Sequence, residues 1–299
     1  MKVLVFGATG SQQFHVIGEA KNKGAEVFAV TSSEKNFPRL TEAGANPIKA
    51  DLADADRLKE ITKGIDAISF LIPFSLPNPM DGLQYAKNVI DAAKENGVKM
   101  VVWNTSGYLL PSKVEIPGED LKLDVKAYFQ QSGVPYVIIE PPIYAENLLA
   151  PYTTEYVKNE QKVAYPTPEQ MPIGWIASRD VGAIVAEALY RPELSGCSFQ
   201  ISGLENLKGN DLAEKFSIGL GKDISYYAMP PQEFGDILRN FLDKEAVNGI
   251  QQYYQSLADA NEYPPKFVPN MKEVLEKLPV KMTSMEEWVK MHKEVFLVD

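Results

Sequence analysis

The beginning of the chain constrains the fold more than any other stretch, because a short apolar run there is followed at once by a glycine-rich turn. The run is Val3–Phe6, and the turn reads G-A-T-G over residues 7–10. Apolar residues then return at helical spacing from Phe14 onwards. This order predicts a buried strand, a tight turn and the opening of a helix. The first backbone N–H groups of such a helix have no acceptor within it, so we predict that they bind the diphosphate of a dinucleotide.

The glycine pattern of this loop is incomplete. Gly7 suits a tight turn and Gly10 lets the backbone approach a diphosphate, but Gln13 stands where G-x-x-G-x-x-G has its third glycine. That glycine usually serves close packing of the helix on the strand, so we expect a weakened helix–strand contact rather than a lost ligand. The alternative is an ordinary strand-to-helix turn without a ligand. The residues of the loop expected to hold a dinucleotide are Gly7, Thr9, Gly10, Ser11 and Gln12.

Charge and cysteine content exclude several function classes. The formal net charge of −10 over 299 residues argues against a nucleic-acid partner, because nucleic-acid phosphates select basic surfaces. One cysteine, Cys197, and two distant histidines provide neither a disulfide framework nor a metal-ligand cluster. The apolar run over residues 67–74 is too short to cross a bilayer, and the first run is too short for a signal peptide. We therefore expect a cytoplasmic protein without a metal site, nucleic-acid partner or membrane contact.

Predicted strands and helices alternate through the first half of the chain, which is typical of a doubly wound parallel sheet. The predicted strands cover residues 3–6, 26–31, 47–50, 67–72, 100–104, 136–140 and 198–202. The predicted helices cover residues 54–62, 80–96, 120–131 and 183–190. Residues 151–172 are rich in proline and tyrosine and are expected to be irregular, and residues 210–299 are expected to be mainly helical.

This pattern predicts an α/β chain with a Rossmann-like sheet and a smaller, mainly helical C-terminal lobe. We expect residues 1–145 to form the dinucleotide-binding lobe, with residues 178–203 returning to it. Residues 146–177 and 204–299 are then expected to form a substrate-binding lobe.

The predicted strand ends supply further candidates for cofactor contacts, since ligands of such sheets bind at the carboxyl ends of the strands. After the second strand, Ser32 and Lys35 are placed to hold a 2′-phosphate, or alternatively lie in a solvated loop. Asp51, after the third strand, is an expected neighbour of adenine, or alternatively a turn and cap residue. Ile72 and Pro73, after the fourth strand, offer apolar atoms to cover a cofactor.

Candidate catalytic side chains follow the fifth strand. Ser106 and Tyr108 are placed to hold a substrate carbonyl, although hydroxyls are also ordinary at a strand exit. Lys122 falls early in the next helix, where an ammonium group can bond ribose hydroxyls and support a proton relay. The alternative for Lys122 is a surface lysine. Tyr227 belongs to an aromatic-rich stretch that lines a substrate cleft or simply fills a core.

Four stretches resemble the NmrA-like branch of the atypical short-chain dehydrogenases/reductases. They are V-F-G-A-T-G at 5–10, V-K-A-Y-F-Q-Q-S-G-V-P at 125–135, P-P-I-Y-A-E-N-L-L at 141–149 and M-E-E-W-V-K-M-H-K at 285–293. The resemblance implies a Rossmann lobe, a smaller helical lobe and a site for NADP, with NAD as the alternative. Members of the family include quinone and enone-type reductases, and redox sensors that bind the dinucleotide and regulate partners.

The resemblance also implies roles for single residues. Lys122 matches the position of the active-site lysine, but Gly118 stands where the catalytic tyrosine is expected four residues earlier. Tyr108, Tyr144 or water would then replace that tyrosine, or reduction chemistry would be absent. The arginine that many NADPH-using relatives carry after the second strand is missing from its usual place. Pro142 and Ile143 are expected to flank a nicotinamide.

The leading hypothesis is an NAD(P)H-dependent reductase of a small, fairly apolar carbonyl, quinone or activated alkene. Its expected substrate contacts are Tyr144, Asn147 and Tyr227, and a monomer or homodimer is expected. The first alternative is a non-catalytic, dinucleotide-binding redox sensor that docks on a protein partner. The second is an isomerase or lyase, because the fold alone does not fix the chemistry.

Overall fold

The chain forms two compact units, and each is built from segments that are distant in sequence. The computed structural model describes residues 1–73, 76, 78 and 80–297, so the end of the apolar run at residue 74 and the last two residues of the predicted C-terminal lobe lie outside the described residues. The first unit comprises Met1–Pro142, Ser178–Ile201 and Lys272–Lys281. The second unit comprises Ile143–Ala177, Ser202–Met271 and Met282–Asp299.

Strands and helices alternate through the first part of the chain. The strands are β1 (Lys2–Val5), β2 (Glu26–Thr31), β3 (Asn46–Lys49), β4 (Ala67–Leu71), β5 (Met100–Asn104), β6 (Tyr136–Glu140), β7 (Lys162–Tyr165), β8 (Ser198–Gln200) and β9 (Ser225–Ala228). The first seven helices are α1 (Ser11–Asn22), α2 (Phe37–Glu42), α3 (Ala55–Ile61), α4 (Asp81–Glu95), α5 (Pro117–Ser132), α6 (Pro151–Glu160) and α7 (Ser178–Ala188). The later helices are α8 (Gly209–Leu220), α9 (Pro231–Leu238), α10 (Lys244–Ala258), α11 (Met271–Lys277), α12 (Met285–Met291) and α13 (Lys293–Leu297).

The first unit contains a parallel sheet in the order β3-β2-β1-β4-β5-β6-β8. Strand order reverses between β1 and β4, which is the topological switch point where doubly wound sheets bind ligands. Helices α1 and α7 pack against each other, and α3, α4 and α5 form a second packed series. The predicted Rossmann-like fold is confirmed, and the predicted return of residues near 178–203 corresponds to α7 and β8.

The second unit has a small parallel pair, β7 with β9, surrounded by helices. Its core is aromatic: Tyr165 and Trp175 meet edge to face, with ring centroids 4.8 Å apart. Phe216 and Trp288 are fully buried in the same cluster. The predicted mainly helical character of this part is confirmed apart from β9. Its assignment to substrate binding stays a prediction.

The expectation of irregular structure over residues 151–172 is wrong for residues 151–165, whereas residues 166–172 form neither helix nor strand. Helix α6 begins at Pro151, and β7 follows it directly. Proline is favoured in the first turn of a helix, because its missing N–H would have no partner there. Proline content therefore marked a helix start rather than a loop. Helix α5 likewise begins at Pro117, earlier than the predicted residue 120, and ends at Gly133 in the left-handed conformation.

Two further assignments differ from expectation. Helix α2 was not predicted, and it connects β2 to β3 within the first unit. The segment Lys272–Lys281, expected in the second lobe, groups with the first unit, where the Lys277 ammonium lies 5.8 Å from the centre of the Phe199 ring on β8. Both segments are too short for periodicity to reveal them.

Candidate functional site

A cavity of about 570 Å³ opens in the first unit at the carboxyl ends of β1 to β4. It lies at the switch point of the sheet, where this fold class binds ligands. The lining residues come from the loops that follow the strands and from the start of α1. They are Phe6, Gly7, Thr9, Gly10, Ser11, Gln12, Gln13, Val30, Thr31, Ser32, Asn36, Ala50, Asp51, Leu52, Leu71, Pro73, Leu76, Tyr85 and Ser106.

The loop after β1 has two glycines with different reasons for being glycine. Gly7 has φ +68°, a left-handed conformation that side chains resist. Gly10 has an ordinary extended backbone (φ −84°), and a Cβ there would lie 3.5 Å from the Gly7 carbonyl oxygen, which is a normal contact. The protein backbone therefore tolerates a side chain at position 10. A side chain there would instead project from the cavity wall, into space that a ligand can use.

The start of α1 presents unused hydrogen-bond donors at the cavity. The N–H groups of Gln13 and Phe14 donate to the Gly10 carbonyl oxygen at 3.2 and 3.0 Å. The N–H groups of Ser11 and Gln12 have no acceptor among the residues that the structure describes. Both residues line the cavity. Two free donors at a helix N-terminus are an arrangement suited to an anion, and this agrees with the predicted phosphate loop.

The expectation that Gln13 weakens the contact between α1 and the sheet is wrong. The Gln13 side chain is 1% exposed and its amide bonds to β4. Its Nε2 donates to the Phe70 carbonyl oxygen at 3.3 Å, and its Oε1 accepts from the Ser69 hydroxyl at 2.7 Å. Helix and sheet are thus joined by hydrogen bonds, where the usual glycine would only allow close approach.

Arg39 is the residue that the sequence analysis missed. It lies on α2, and its Nη1 donates to the Thr9 carbonyl oxygen of the phosphate loop at 3.0 Å. Its guanidinium also stacks over the Phe14 ring, 4.3 Å from the ring centre. The arginine missing directly after β2 is therefore matched by one that reaches the same loop from the following helix. An exposed guanidinium at this place is suited to a phosphate group.

The loops after β2 and β3 place some of the predicted cofactor neighbours on the cavity wall and others away from the lining. Ser32 and Asn36 line it, whereas Lys35 is exposed and is not among the lining residues. Asn36 is held by Thr31, whose hydroxyl oxygen accepts from its side-chain amide at 3.0 Å. Asp51 lines the cavity and accepts a hydrogen bond from the Ala53 N–H at 2.9 Å, which is turn chemistry; its role beside an adenine stays a prediction.

The turn after β5 carries Ser106, and the Lys122 ammonium lies next to the following residue, Gly107. Ser106 lines the cavity and has φ +53°, an uncommon conformation for serine, with its N–H donating to Asn104 Oδ1 at 2.9 Å. The Lys122 ammonium lies 3.2 Å from where a Cβ on Gly107 would stand, next to this turn. It also pairs with Glu119 at 3.0 Å. Backbone strain at a cavity wall is typical of a functional position.

A buried carboxylate fixes the loop beyond this turn. Glu140, at the end of β6, is 5% exposed and accepts the Leu109 N–H at 3.0 Å. Its other oxygen accepts from the Ser198 hydroxyl on β8. The loop that carries Ser106 and Tyr108 is therefore held at both ends, although Tyr108 itself does not line the cavity.

The remaining predicted site residues are not among those that line this cavity. Ile72 is not a lining residue and packs next to Gly82 on α4. Pro142 ends the first segment of the first unit, and Ile143 begins the second unit. Tyr144, also in the second unit, is 5% exposed.

Two predicted substrate contacts have internal partners within the second unit. The Asn147 amide donates to the Tyr165 hydroxyl at 3.3 Å. The Tyr227 hydroxyl donates to Glu233 at 2.7 Å, and this hydrogen bond raises the pKa of Tyr227. Tyr156 donates to the other oxygen of the same carboxylate, which raises the pKa of Tyr156 to about 12. These phenols remain protonated at neutral pH.

Neither a metal cluster nor a membrane-crossing helix is found where the structure describes the chain. Among the described residues, no three His, Cys, Asp or Glu side chains come together in a way that could hold a metal ion. Within the same residues, no helix is long and apolar enough to cross a membrane.

Residues 1–289 match the family model described as the NmrA-like family. The chain belongs to the NmrA-like family. The match spans both compact units, so it covers the cavity of the first unit and the aromatic core of the second.

Relatives of this NmrA-like chain include named reductases. An NAD(P)H azoreductase from Xenophilus azovorans is 25% identical over 304 aligned residues, covering 98% of this chain and 99% of the relative. The NADPH complex of an Escherichia coli NADPH-dependent quinone oxidoreductase superposes with a TM-score of 0.77 at 18% identity, covering 97% and 99% of the two chains. The NADP(H) complex of the Citrobacter sp. triphenylmethane reductase has a TM-score of 0.78 at 14% identity, covering 97% and 99%.

Proposed function

We propose that this chain is an NADPH-dependent reductase that transfers hydride to a small apolar carbonyl, quinone or activated alkene. The observation that carries the proposal is the pair of unused N–H donors at Ser11 and Gln12, on the wall of the cavity. They fit a diphosphate, and the absent side chain at Gly10 leaves room for one. The relatives named for azo compounds, quinones and triphenylmethane dyes support hydride transfer to conjugated acceptors.

Arg39 supports NADPH over NADH. NADPH has a 2′-phosphate that NADH lacks, and the residues that bind this phosphate usually follow β2. Arg39 holds an exposed guanidinium against the phosphate loop, and Ser32 and Asn36 line the neighbouring wall. Lys35, between β2 and α2, is exposed and close in sequence to Arg39, and it adds positive charge to that segment.

Some of the chain's own residues are proposed to hold the cofactor and the substrate, and others to polarise the acceptor oxygen. Reduced nicotinamide supplies the hydride when the cofactor is bound. Ser106 is placed to donate a hydrogen bond to the acceptor oxygen, and the nearby Lys122 ammonium favours the negative charge that develops there. Tyr108 or water then delivers the proton, because Gly118 cannot. Pro142 and Ile143 are proposed to flank the nicotinamide, and Tyr144, Asn147 and Tyr227 to contact the substrate.

A non-catalytic dinucleotide sensor is the second candidate. It is favoured by Gly118, which removes the expected tyrosine, and by Glu119, which already holds the Lys122 ammonium at 3.0 Å. Such a protein would bind NADPH through the same cavity and show no turnover with any acceptor.

The two candidates separate in one set of measurements on the full chain. NADPH and NADH are titrated calorimetrically into the wild-type chain and the Gly10→Val variant, and NADPH oxidation is followed with quinones, enones and aldehydes. We expect wild type to prefer NADPH and to oxidise it with at least one acceptor. In Gly10→Val we expect Kd to rise at least about a hundredfold, equivalent to ~2.8 kcal/mol, with the melting temperature retained. Binding without turnover would favour the sensor, and absence of binding would contradict both.

A further inference from the structure

Gln13, at the third position of the glycine pattern, forms a buried polar pair with Ser69. Gln13 is 1% exposed and Ser69, on β4, is fully buried. Val5 is the strand partner of Ser69, and both Val5 and Val16, on the helix that carries Gln13, are fully buried. A polar pair in such a place costs stability unless its hydrogen bonds are satisfied.

The bonds of this pair connect the phosphate loop to the sheet on both sides. Ser69 uses its hydroxyl to donate to Gln13 Oε1 at 2.7 Å, and its carbonyl oxygen accepts the Phe6 N–H at 2.9 Å. Phe6 is the residue before Gly7, and Gln13 follows the free donors of Ser11 and Gln12. The Gln13 Cγ lies 3.6 Å from where a Cβ on Gly7 would stand. The pair therefore contacts the beginning and the end of the loop.

A glycine at position 13 has no side chain that could make these contacts. It permits close packing but leaves the loop without a side-chain hydrogen bond to β4, so that the Arg39 contact to Thr9 and backbone hydrogen bonds such as Gly10 N–H to Gly7 O, 3.0 Å, remain. A loop with glycines at positions 7 and 10 has high conformational freedom, and a donor pair binds an anion well only when it is held in place.

We infer that Gln13 and Ser69 are the positioning pair of the phosphate loop, so that affinity for a dinucleotide diphosphate depends on the Gln13 amide and the Ser69 hydroxyl. This inference rests on the proposed function, because it concerns the same cavity. In the usual pattern the small third glycine allows the helix to pack closely on the strand. In this chain the hydrogen bonds of the pair join the helix to the sheet instead.

The first test separates positioning from packing. Gln13→Met, Ser69→Ala and the double variant are titrated with NADP⁺, and unfolding by urea is measured for each. Replacing both partners by apolar groups of similar shape is close to neutral for stability. In the double variant we therefore expect an unfolding midpoint near wild type and a Kd for NADP⁺ raised about tenfold. A wild-type Kd in the double variant overturns the inference.

Ser132→Ala provides the matched control. Ser132 is buried in the first unit, donates to the Phe129 carbonyl oxygen at 2.8 Å and accepts the Val134 N–H at 3.1 Å. It does not line the cavity. The same substitution there should lower stability and leave the Kd for NADP⁺ unchanged. If Ser132→Ala weakens binding as much as Ser69→Ala does, the effect is general destabilisation and the inference fails.

A pH series with Gln13→Glu gives a readout that packing does not affect. The ionised carboxylate lacks the hydrogen for the Phe70 carbonyl oxygen and repels a diphosphate, whereas the protonated acid is shaped like the amide. Burial raises a carboxyl pKa, so the protonated acid becomes more populated as the pH is lowered. We expect the ratio of variant to wild-type Kd to fall at least about fivefold from about pH 8 to pH 5. A ratio that does not change with pH overturns the inference.

The outcomes also distinguish this inference from the proposed function. Absence of NADP⁺ binding by the wild-type chain overturns the proposed function, and this inference with it. Wild-type binding with unchanged Kd in all the Gln13 and Ser69 variants overturns the inference alone.

Discussion

Arg39 is the residue that we propose selects NADPH, although it does not directly follow β2 in the sequence. Its guanidinium bonds the Thr9 carbonyl oxygen and stacks on Phe14, so its position is fixed from two sides. For Arg39→Ala we expect the Kd for NADPH to rise about tenfold, because a charge-assisted bond to the 2′-phosphate is lost. The Kd for NADH, which has no 2′-phosphate, should stay unchanged in the same calorimetric titration.

The control for this variant is Arg239→Ala. Arg239 is an exposed arginine directly after α9 in the second unit, where it pairs with Asp236. The Arg239→Ala variant should leave the Kd for NADPH and the Kd for NADH unchanged. Equal weakening of NADPH and NADH in Arg39→Ala would contradict a 2′-phosphate contact and indicate a role in holding the loop instead.

The proposed role of Lys122 is tested by comparing the change in kcat with the change in the Kd for NADPH. Its ammonium lies beside the strained turn at Ser106 and Gly107, where it would stabilise developing negative charge. For Lys122→Met we expect kcat to fall at least about tenfold. The Kd for NADPH should change less than kcat, since the free donors of α1 are intact. Lys126→Met, one helical turn further along α5, serves as the comparison, and equal kcat values in the two variants would make Lys122 an ordinary surface residue.

At single positions, the sequence predicted features that depend on local backbone conformation. It did not predict contacts between side chains that are distant in sequence. Gly7 and Gly10 were identified because a turn and a helix start are local features. Arg39 and the Gln13–Ser69 pair were not, because each depends on a contact between elements that are distant in sequence. Periodicity indicates which face of an element is buried, but not which buried groups bond to one another.

Helices α1 and α7 are joined by a charged cluster centred on Glu187. Its carboxylate accepts hydrogen bonds from Lys23 and Arg191. Burial raises the pKa of Glu187, but these two cations more than offset that effect and the net pKa is lowered. A carboxyl with a lowered folded-state pKa stabilises the protein above its unfolded pKa, and this contribution is lost as pH falls through the folded-state value.

Glu187→Gln should therefore destabilise in a pH-dependent way. At about pH 7 we expect a loss of ~1–3 kcal/mol in the free energy of unfolding, since hydrogen bonds to charged groups are lost. The loss should shrink as pH falls below about 4.3, the ordinary pKa of an unfolded glutamate. Urea unfolding of both proteins across this range measures the difference. A loss that stays constant down to about pH 3 would contradict the lowered pKa.

The regular elements of the first unit were largely predictable. Strands β2, β5 and β6 have the predicted bounds, because buried parallel strands read as short β-branched runs between turn signals. Helix α6 and strand β7 were missed, since their proline and tyrosine content resembles a loop and their packing partners are distant. Tertiary contacts decided those elements, and local propensity did not.

At the scale of the whole molecule, a chain with a net charge of −10 is proposed to bind a polyanionic cofactor. This is consistent because the donors are backbone N–H groups of the loop after β1, with a single guanidinium beside them. Electrostatic attraction at a helix N-terminus is local and does not require a basic protein. The family match over residues 1–289 and the fold of the first unit could both be anticipated from the sequence, whereas the acceptor could not.

The most direct test observes the two free donors themselves. Backbone amide signals of Ser11 and Gln12 are followed by ¹H–¹⁵N NMR of the full chain while NADP⁺ is added. We predict that both signals shift with the same saturation curve as calorimetry and exchange more slowly with water, because each N–H gains a phosphate oxygen as acceptor. NADP⁺ binding that leaves these two signals unchanged, or no binding at all, would contradict the account.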